Sequence, residues 1–334
     1  MPRSRHRSGS SNGDGRPVTS FARCGLAVGH ATDVDGATGC TVVRGVDAPF
    51  RCGVYVVGRA TGTRELALLE PGHLVDRVDA ILLSGGSAYG LDATAGVMRW
   101  MEERGRGFPV GDGVVPIVPA AVIFDLQPLG RFDARPTPGM AYDACENAVA
   151  DVVPEGSIGA GTGATVGKIA GPDHAMKGGV GVGEAHGGAV QVCAIAVVNA
   201  LGDVRDGTGA IIAGARDAGG RWLNSDAWIG RGDDGTPRFD GLAGRSTTLC
   251  VVSTNAELSR VQVGALARAA SAALYRRITP VGTAFDGDVV FATAPAQHGV
   301  SASPAQVEVL AVLALERAIE RAVRMHAPGD IFPA

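Results

Sequence analysis

Two adjacent threonines and two aspartates are the residues of this chain best suited to chemistry. Thr247 and Thr248 lie directly before an apolar, strand-like run over residues 249–252, and Asp286 and Asp288, one glycine apart, precede another. A threonine hydroxyl is a weak nucleophile, but the α-amine of the same residue can serve as its base once the preceding peptide bond is cut. The pattern therefore predicts an enzyme that is made by cutting itself.

A lysine and an asparagine elsewhere in the chain are further candidates. Lys168 ends a glycine-rich run that begins at Gly161, and a partly desolvated lysine could orient a hydroxyl or stabilise developing negative charge. The run is not a Walker A loop, because five residues instead of four separate its glycines and Ile169 follows the lysine. Asn199 ends a strand-like run over residues 190–198.

Each candidate also has an ordinary structural interpretation. Threonines are common in strands, and aspartates before a strand often form turns. Lys168 alone could be a surface lysine, and Asn199 alone could cap a turn. Only their joint occurrence, with a polar stretch ahead of Thr247, favours a catalytic site.

Composition limits the class of protein. The 334 residues are rich in aliphatic side chains and include only 5% aromatics, which indicates a large aliphatic core. A formal charge of −4 gives no reason to expect a nucleic-acid partner. No apolar stretch approaches the roughly 20 residues that span a bilayer. The six cysteines are scattered without a CxxC pair, which is not typical of a zinc site or a disulfide framework.

The N-terminal segment helps to predict location. Residues 1–20 read as a disordered basic tail without the apolar region of a secretory signal. We therefore expect a cytoplasmic protein that acts on a small molecule, with no cofactor, no metal and no membrane or nucleic-acid partner.

The elements that must position these residues predict an α/β (α+β) fold. Residues 80–83 read as a buried strand, which a glycine turn joins to a helix over residues 91–103. Helices are also expected over 258–276 and 304–325. The polar stretch 214–245 is expected to be a long exposed connection, where a chain could be cut without disrupting the core.

Six ordered motifs give nearly the whole chain after about residue 20 a resemblance to the P1-type self-processing hydrolases. This family includes the L-aminopeptidase/D-esterase, the β-peptidyl aminopeptidases and the nylon-oligomer (6-aminohexanoate oligomer) endohydrolase. The motifs are Gly85-Gly86-Ser87-Ala88-Tyr89-Gly90-Leu91, Val118-Pro119-Ala120-Ala121-Val122-Ile123-Phe124-Asp125, Gly163-Ala164-Thr165-Val166-Gly167-Lys168, Val197-Val198-Asn199, Ser246-Thr247-Thr248-Leu249 and Phe285-Asp286-Gly287-Asp288.

The resemblance implies one αββα sandwich domain over residues 21–334, in which sheets lie between helices. Cleavage of the Ser246–Thr247 bond would leave residues 21–246 as a large chain and 247–334 as a small chain. Thr247 would then be the N-terminal nucleophile that hydrolyses amide or ester bonds of small peptides or amino-acid oligomers. The processed units of this family often assemble as tetramers, so a homo-oligomer is expected.

The resemblance also implies roles for the other candidates. Lys168 and Asn199 match the family's lysine and asparagine beside the nucleophile, and Asn199 is expected to donate to the oxyanion. Asp286 and Asp288 match the acid pair of the nylon-oligomer enzyme, whereas the aminopeptidases have a serine and a glutamate there. With Lys168, the two aspartates are expected to hold the amine and the hydroxyl of Thr247 in place.

Two departures from the family pattern leave alternatives open. Ser246 stands where relatives have asparagine or glycine before the nucleophile, and Phe124, in the expected substrate-binding region, replaces a tyrosine. The first change could alter self-cleavage, and the second removes a substrate hydrogen bond. The alternatives are an N-acetyltransferase of the ornithine acetyltransferase type and an uncut, non-catalytic homologue that acts in binding or assembly.

Overall fold

Two five-stranded sheets pack face to face, and helices cover the outer face of each sheet. The computed structural model describes residues 20–231 and 245–325. The strands are β1 (Leu26–Asp33), β2 (Thr38–Gly45), β3 (Phe50–Val56), β4 (Gly62–Arg64), β5 (Ala80–Ser84), β6 (Phe108–Val110), β7 (Gly113–Val115), β8 (Ala120–Val122), β9 (Thr165–Val166), β10 (Met176–Lys177), β11 (Gly179–Gly187), β12 (Val190–Asn199), β13 (Asp203–Arg205), β14 (Ile211–Ala213), β15 (Thr247–Thr254), β16 (Ile278–Thr279) and β17 (Val289–Pro295). The helices are α1 (Ser20–Arg23), α2 (Thr94–Glu102), α3 (Pro138–Glu146), α4 (Ser225–Gly230), α5 (Arg260–Ala270), α6 (Ala272–Arg277) and α7 (Pro304–Arg324).

The four layers confirm the αββα sandwich. The first sheet has the strand order β1-β2-β5-β8-β4, and α2 and α3 pack on its outer face. The second has the order β11-β12-β15-β17-β3, and α5 and α7 pack on its outer face. A third apolar layer fills the space between the sheets.

Alternation along the strands explains why these segments are apolar without interruption. In β15, Leu249 and Val251 face the layer between the sheets, while Cys250 and Val252 face the outer helices. Both faces of the strand are therefore buried, which requires a continuous apolar run instead of an alternating one.

The register of the second sheet brings three chain segments together at one end of its central strand, β15. Strand β15 pairs with β12 antiparallel, so Asn199 at the end of β12 lies opposite Thr247 at the start of β15. On its other side β15 pairs with β17 in parallel, and Ser246 forms a bridge with Asp286 just before β17. The segments that carry the predicted site residues thus meet where β15 begins.

Two predicted helices differ from the observed ones. The helix expected over residues 258–276 is interrupted at Ser271, whose hydroxyl donates to the carbonyl of Arg268 at 2.7 Å and so competes with the helical pattern. The helix expected from residue 91 begins as an α-helix only at Thr94, after a 3-10 segment over Ser87–Ala93.

The polar stretch 214–245 is not exposed throughout. Ala215 and Ser225 are buried, because their backbone N–H groups donate to the buried carboxylate of Asp203 at 3.0 and 2.7 Å. Residues 232–244 of this stretch, and residues 1–19 of the tail predicted over residues 1–20, lie outside the described residues. Among the described helices, none combines the length and apolarity that crossing a membrane requires.

Candidate active site

Thr247 begins β15 with its side chain buried. Its hydroxyl donates to the carbonyl oxygen of Ser246, the residue before it, at 2.6 Å. The same oxygen accepts the N–H of Gly287 at 2.8 Å. The hydroxyl is therefore held directly against the peptide bond that the sequence predicts to be cut.

Lys168, at the end of the glycine-rich run, extends its side chain towards the start of β15. Its ammonium donates to the carbonyls of Thr165 (2.8 Å) and Asn199 (2.9 Å) and to Asn199 Oδ1 (2.8 Å). Gly167 permits this turn because it has a φ of 69°, and a Cβ there would lie 2.1 Å from the backbone nitrogen of Ala215.

The charge of Lys168 is set by two opposing influences. Burial lowers the pKa of Lys168 to about 7, while the carboxylates of Asp286 and Asp288 raise it. Four oxygens accept from Nζ, because the Thr165 hydroxyl is added at 3.3 Å, and a shell made only of acceptors favours the charged form. Lys168 is thus a buried, ionisable amine beside the carboxylates, not the surface lysine of the ordinary interpretation.

Asn199 links the lysine to two other chain segments. Its Oδ1 accepts the backbone N–H of Thr165 at 3.0 Å in addition to the lysine. Its Nδ2 donates to the carbonyls of Phe124 (3.1 Å) and Arg245 (3.3 Å). Both amide protons are therefore engaged by main-chain carbonyls in the uncut chain, and the expected oxyanion contact is not among these bonds.

The two aspartates are buried and held by the surrounding main chain. Asp288 accepts the N–H of Thr248 at 2.6 Å and that of Gly282 at 3.1 Å. Asp286 accepts both the N–H and the hydroxyl of Thr283, at 2.9 and 2.7 Å. These bonds fix the Asp288 carboxylate to the backbone of Thr248, the residue after Thr247, and fix the Asp286 carboxylate to Thr283.

Burial controls how the aspartates titrate. It raises the pKa of Asp288 to about 7, and the negative charge of Asp286 adds to the increase. Burial also raises the pKa of Asp286, against the lowering effects of the Thr283 hydrogen bonds and of Lys168. The pair therefore exchanges protons more readily near neutral pH than an exposed aspartate does, which suits a group that must accept one.

A recess of about 330 Å³ opens beside the site. It is lined by Gln127, Pro128, Lys168, Pro172 and Arg245. Phe124 lies next to it, partly exposed, and the Arg245 guanidinium is 5.6 Å from the centre of its ring. The phenylalanine that replaces the family's tyrosine is thus packed against an arginine at the predicted binding region.

The structure brings together all five residues for which the sequence predicts a catalytic role, namely Thr247, Lys168, Asn199, Asp286 and Asp288. It adds two that the sequence did not indicate. Thr165 bonds to Lys168 and Asn199, and Gly287 donates to the Ser246 carbonyl. The Gly287 contact joins two backbone atoms, and Thr165 acts through its backbone as well as its hydroxyl, so the only signal in the sequence was their presence in the motifs.

Comparison with known proteins shows which family the chain resembles in sequence. The model of peptidase family S58 matches residues 24–327. An uncharacterised aminopeptidase of Mycobacterium tuberculosis is 40% identical over 329 residues, which cover 90% of this chain and 87% of that protein. The 6-aminohexanoate-oligomer endohydrolase of a Kocuria species is 30% identical over 295 residues, which cover 87% of this chain and 78% of that protein.

Solved structures share the fold. The L-aminopeptidase D-Ala-esterase/amidase of Ochrobactrum anthropi, a variant of the Ntn hydrolase fold, aligns with a TM-score of 0.66 at 21% identity, covering 89% of this chain and 83% of that chain. A β-aminopeptidase of a Burkholderia species aligns with a TM-score of 0.64 at 20% identity, covering 95% of this chain and 88% of that chain. With the sequence match over residues 24–327, the chain therefore belongs to peptidase family S58.

Proposed function

We propose that the chain cuts its own Ser246–Thr247 bond and then uses Thr247 to hydrolyse amide or ester bonds of small peptides or amino-acid oligomers. The observation that carries this proposal is the 2.6 Å contact between the Thr247 hydroxyl and the Ser246 carbonyl oxygen. The contact lies inside a buried cluster of a lysine, an asparagine and two carboxylates. Family membership supports hydrolysis of a peptide or amide bond.

The first reaction is an acyl shift within the chain. The Thr247 oxygen attacks the carbonyl carbon of Ser246 while the Asp286/Asp288 pair accepts the hydroxyl proton. The Ser246–Thr247 C–N bond then breaks, and the nitrogen of Thr247 takes up the proton. Water hydrolyses the resulting ester, which leaves a carboxylate on Ser246 and both a free amine and a free hydroxyl on Thr247.

The second reaction uses the groups that the first creates. The free α-amine of Thr247, with an ordinary pKa of roughly 7.7–8.0, removes the proton from its own hydroxyl during attack on a substrate carbonyl. Departure of the Arg245 carbonyl from Asn199 would release an Nδ2 proton for the substrate oxyanion. Lys168 holds Asn199 in position throughout.

The recess beside Lys168 supports a small substrate. Its volume of about 330 Å³ is at the lower end of the range for ligand pockets. The 40%-identical relative is named an aminopeptidase, and the 30%-identical relative is named for cleaving 6-aminohexanoate oligomers. We therefore propose that short peptides with a free amino terminus are the preferred class, ahead of longer ω-amino-acid oligomers.

The test compares the two adjacent threonines. Thr247→Ala should give a single uncut chain with no hydrolysis of aminoacyl anilides or short peptides. Thr248→Val, which keeps the shape of the neighbouring side chain, should still be cut and active. Cutting or turnover by folded Thr247→Ala at the parental level would exclude Thr247 as the nucleophile, and parental preference for 6-aminohexanoate oligomers would overturn the proposed substrate class.

A further inference from the structure

The carbonyl oxygen of Ser246 already has a backbone donor in the uncut chain. The N–H of Gly287 points at it across the parallel bridge between Ser246 and Asp286, at 2.8 Å. This oxygen would carry the negative charge if Thr247 attacked the Ser246 carbonyl carbon. A donor is therefore aimed at the atom where charge develops during self-cleavage.

This donor is held firmly by its neighbours. The carbonyl of Asp286 accepts the N–H groups of Arg59 and Ala60, at 2.8 and 2.9 Å. The carbonyl of Asp288 accepts two further N–H groups, from residues 57 and 58. The Asp286–Gly287 peptide, which carries the N–H, and the Asp288–Val289 peptide are thus both fixed to residues 57–60, so the N–H need not reorient during the reaction.

The absence of a side chain at residue 287 also serves the reaction geometry. A Cβ at Gly287 would lie 2.7 Å from the Thr247 hydroxyl oxygen and 2.7 Å from the carbonyl oxygen of Ala60. Real Cβ atoms do not approach other atoms this closely, and the Ala60 oxygen belongs to the backbone. Any side chain here would push the nucleophile or the donor out of position.

The other candidate donor is occupied at this stage. Asn199 Nδ2 has two protons, and they go to the carbonyls of Phe124 and Arg245. The two reactions of the site therefore have different donors available to them: a backbone N–H before the cut and a side-chain amide after it.

We propose that the N–H of Gly287 stabilises the oxyanion of self-cleavage, an assignment that rests on the self-cleavage proposed above. As the Thr247 oxygen bonds to the Ser246 carbonyl carbon, the C=O electron pair moves onto the oxygen that faces Gly287. The pair returns when the C–N bond breaks, and the hydroxyl proton ends on the Thr247 nitrogen. The product is the Ser246 ester of Thr247, with no atom gained or lost.

Two changes at Gly287 test the assignment. Gly287→Ala introduces the clash, and its matched control is Gly264→Ala within α5, where a Cβ meets nothing within 4 Å. Replacing Gly287 by its α-hydroxy acid through nonsense suppression exchanges the N–H for an ester oxygen and adds no side chain, although it also weakens the Asp286 carbonyl as an acceptor. Precursor cutting is followed on denaturing gels, and thermal melting reports whether each variant is folded.

The hydroxy-acid variant should be cut about 10²–10³-fold more slowly than the parent, which is the typical effect of losing one oxyanion donor. Gly287→Ala should be slower still, and Gly264→Ala should match the parent. Parental cutting by the folded hydroxy-acid variant would overturn the role of Gly287 while leaving self-cleavage intact. A parent that is never cut would instead overturn the proposed function.

Discussion

Replacing Lys168 by methionine should separate its catalytic role from its structural one. Methionine keeps much of the length and apolar volume of lysine but removes four hydrogen bonds and the ionisable amine beside Asp286 and Asp288. Removing one partner of a buried charge cluster costs about 3–5 kcal/mol. Asn199 Oδ1 keeps its bond from the Thr165 N–H, which places the expected loss at the lower end, about 3 kcal/mol.

Lys177 provides the matched control. It donates to three main-chain carbonyls, those of Gly161 (2.8 Å), Ala164 (3.2 Å) and Gly178 (2.9 Å), whereas Lys168 donates to two main-chain carbonyls and two side chains. Its ammonium is less buried than that of Lys168, so we expect Lys177→Met to cost about 1–3 kcal/mol. The control thus loses a comparable set of bonds without touching Asn199.

Urea unfolding and a gel time course of self-cleavage measure the two effects. Both variants should have a lower free energy of unfolding than the parent. Only Lys168→Met should be cut more slowly, by at least about 10²-fold, in buffer without urea at a temperature at which it remains folded. Cutting should slow because Asn199 loses its hydrogen bond from Lys168 and the carboxylate pair loses the nearby positive charge. Folded Lys168→Met that is cut at the rate of Lys177→Met would refute the assignment of Lys168 to the site.

Two further predictions concern pH and Ser246. The pKa of Asp288 is raised to about 7, so its protonation stabilises the folded precursor below the unfolded pKa, and that contribution is lost as pH rises through about 7. Cutting requires an ionised carboxylate, so its rate on gels should instead increase between about pH 5.5 and about pH 8, and a flat profile would contradict this role. Ser246→Ala should raise the free energy of unfolding in urea by about 1 kcal/mol, because the buried Ser246 hydroxyl has no hydrogen-bond partner among the described residues. It should also preserve cutting, and a destabilised Ser246→Ala would show that this hydroxyl is paired.

The resemblance carried by the ordered motifs implied the αββα layering and the roles of the side chains at the site, whereas residue types alone predicted a mixed α/β fold. Uninterrupted apolar runs such as 249–252 indicate strands buried on both faces, and the ordered motifs carry Lys168, Asn199 and the aspartates. Their proximity follows from strand register, since Asn199 lies opposite Thr247.

Other features could not be predicted from residue types. The helix break at Ser271 depends on a hydrogen bond from the Ser271 hydroxyl to the carbonyl of Arg268. The burial of Ala215 depends on Asp203, an acid in a separate segment. The contact of Gly287 with Ser246 joins two backbone atoms, whose identity is the same in every residue but proline. Only the path of the chain could reveal these interactions.

The most direct test of self-cleavage is the N-terminal sequence and intact mass of the purified protein. We expect two chains that remain associated, with the smaller one beginning Thr247-Thr248-Leu249-Cys250 and having the mass of residues 247–334. A single chain that stays uncut after prolonged incubation near pH 8, or a small chain that begins at any other residue, would contradict it.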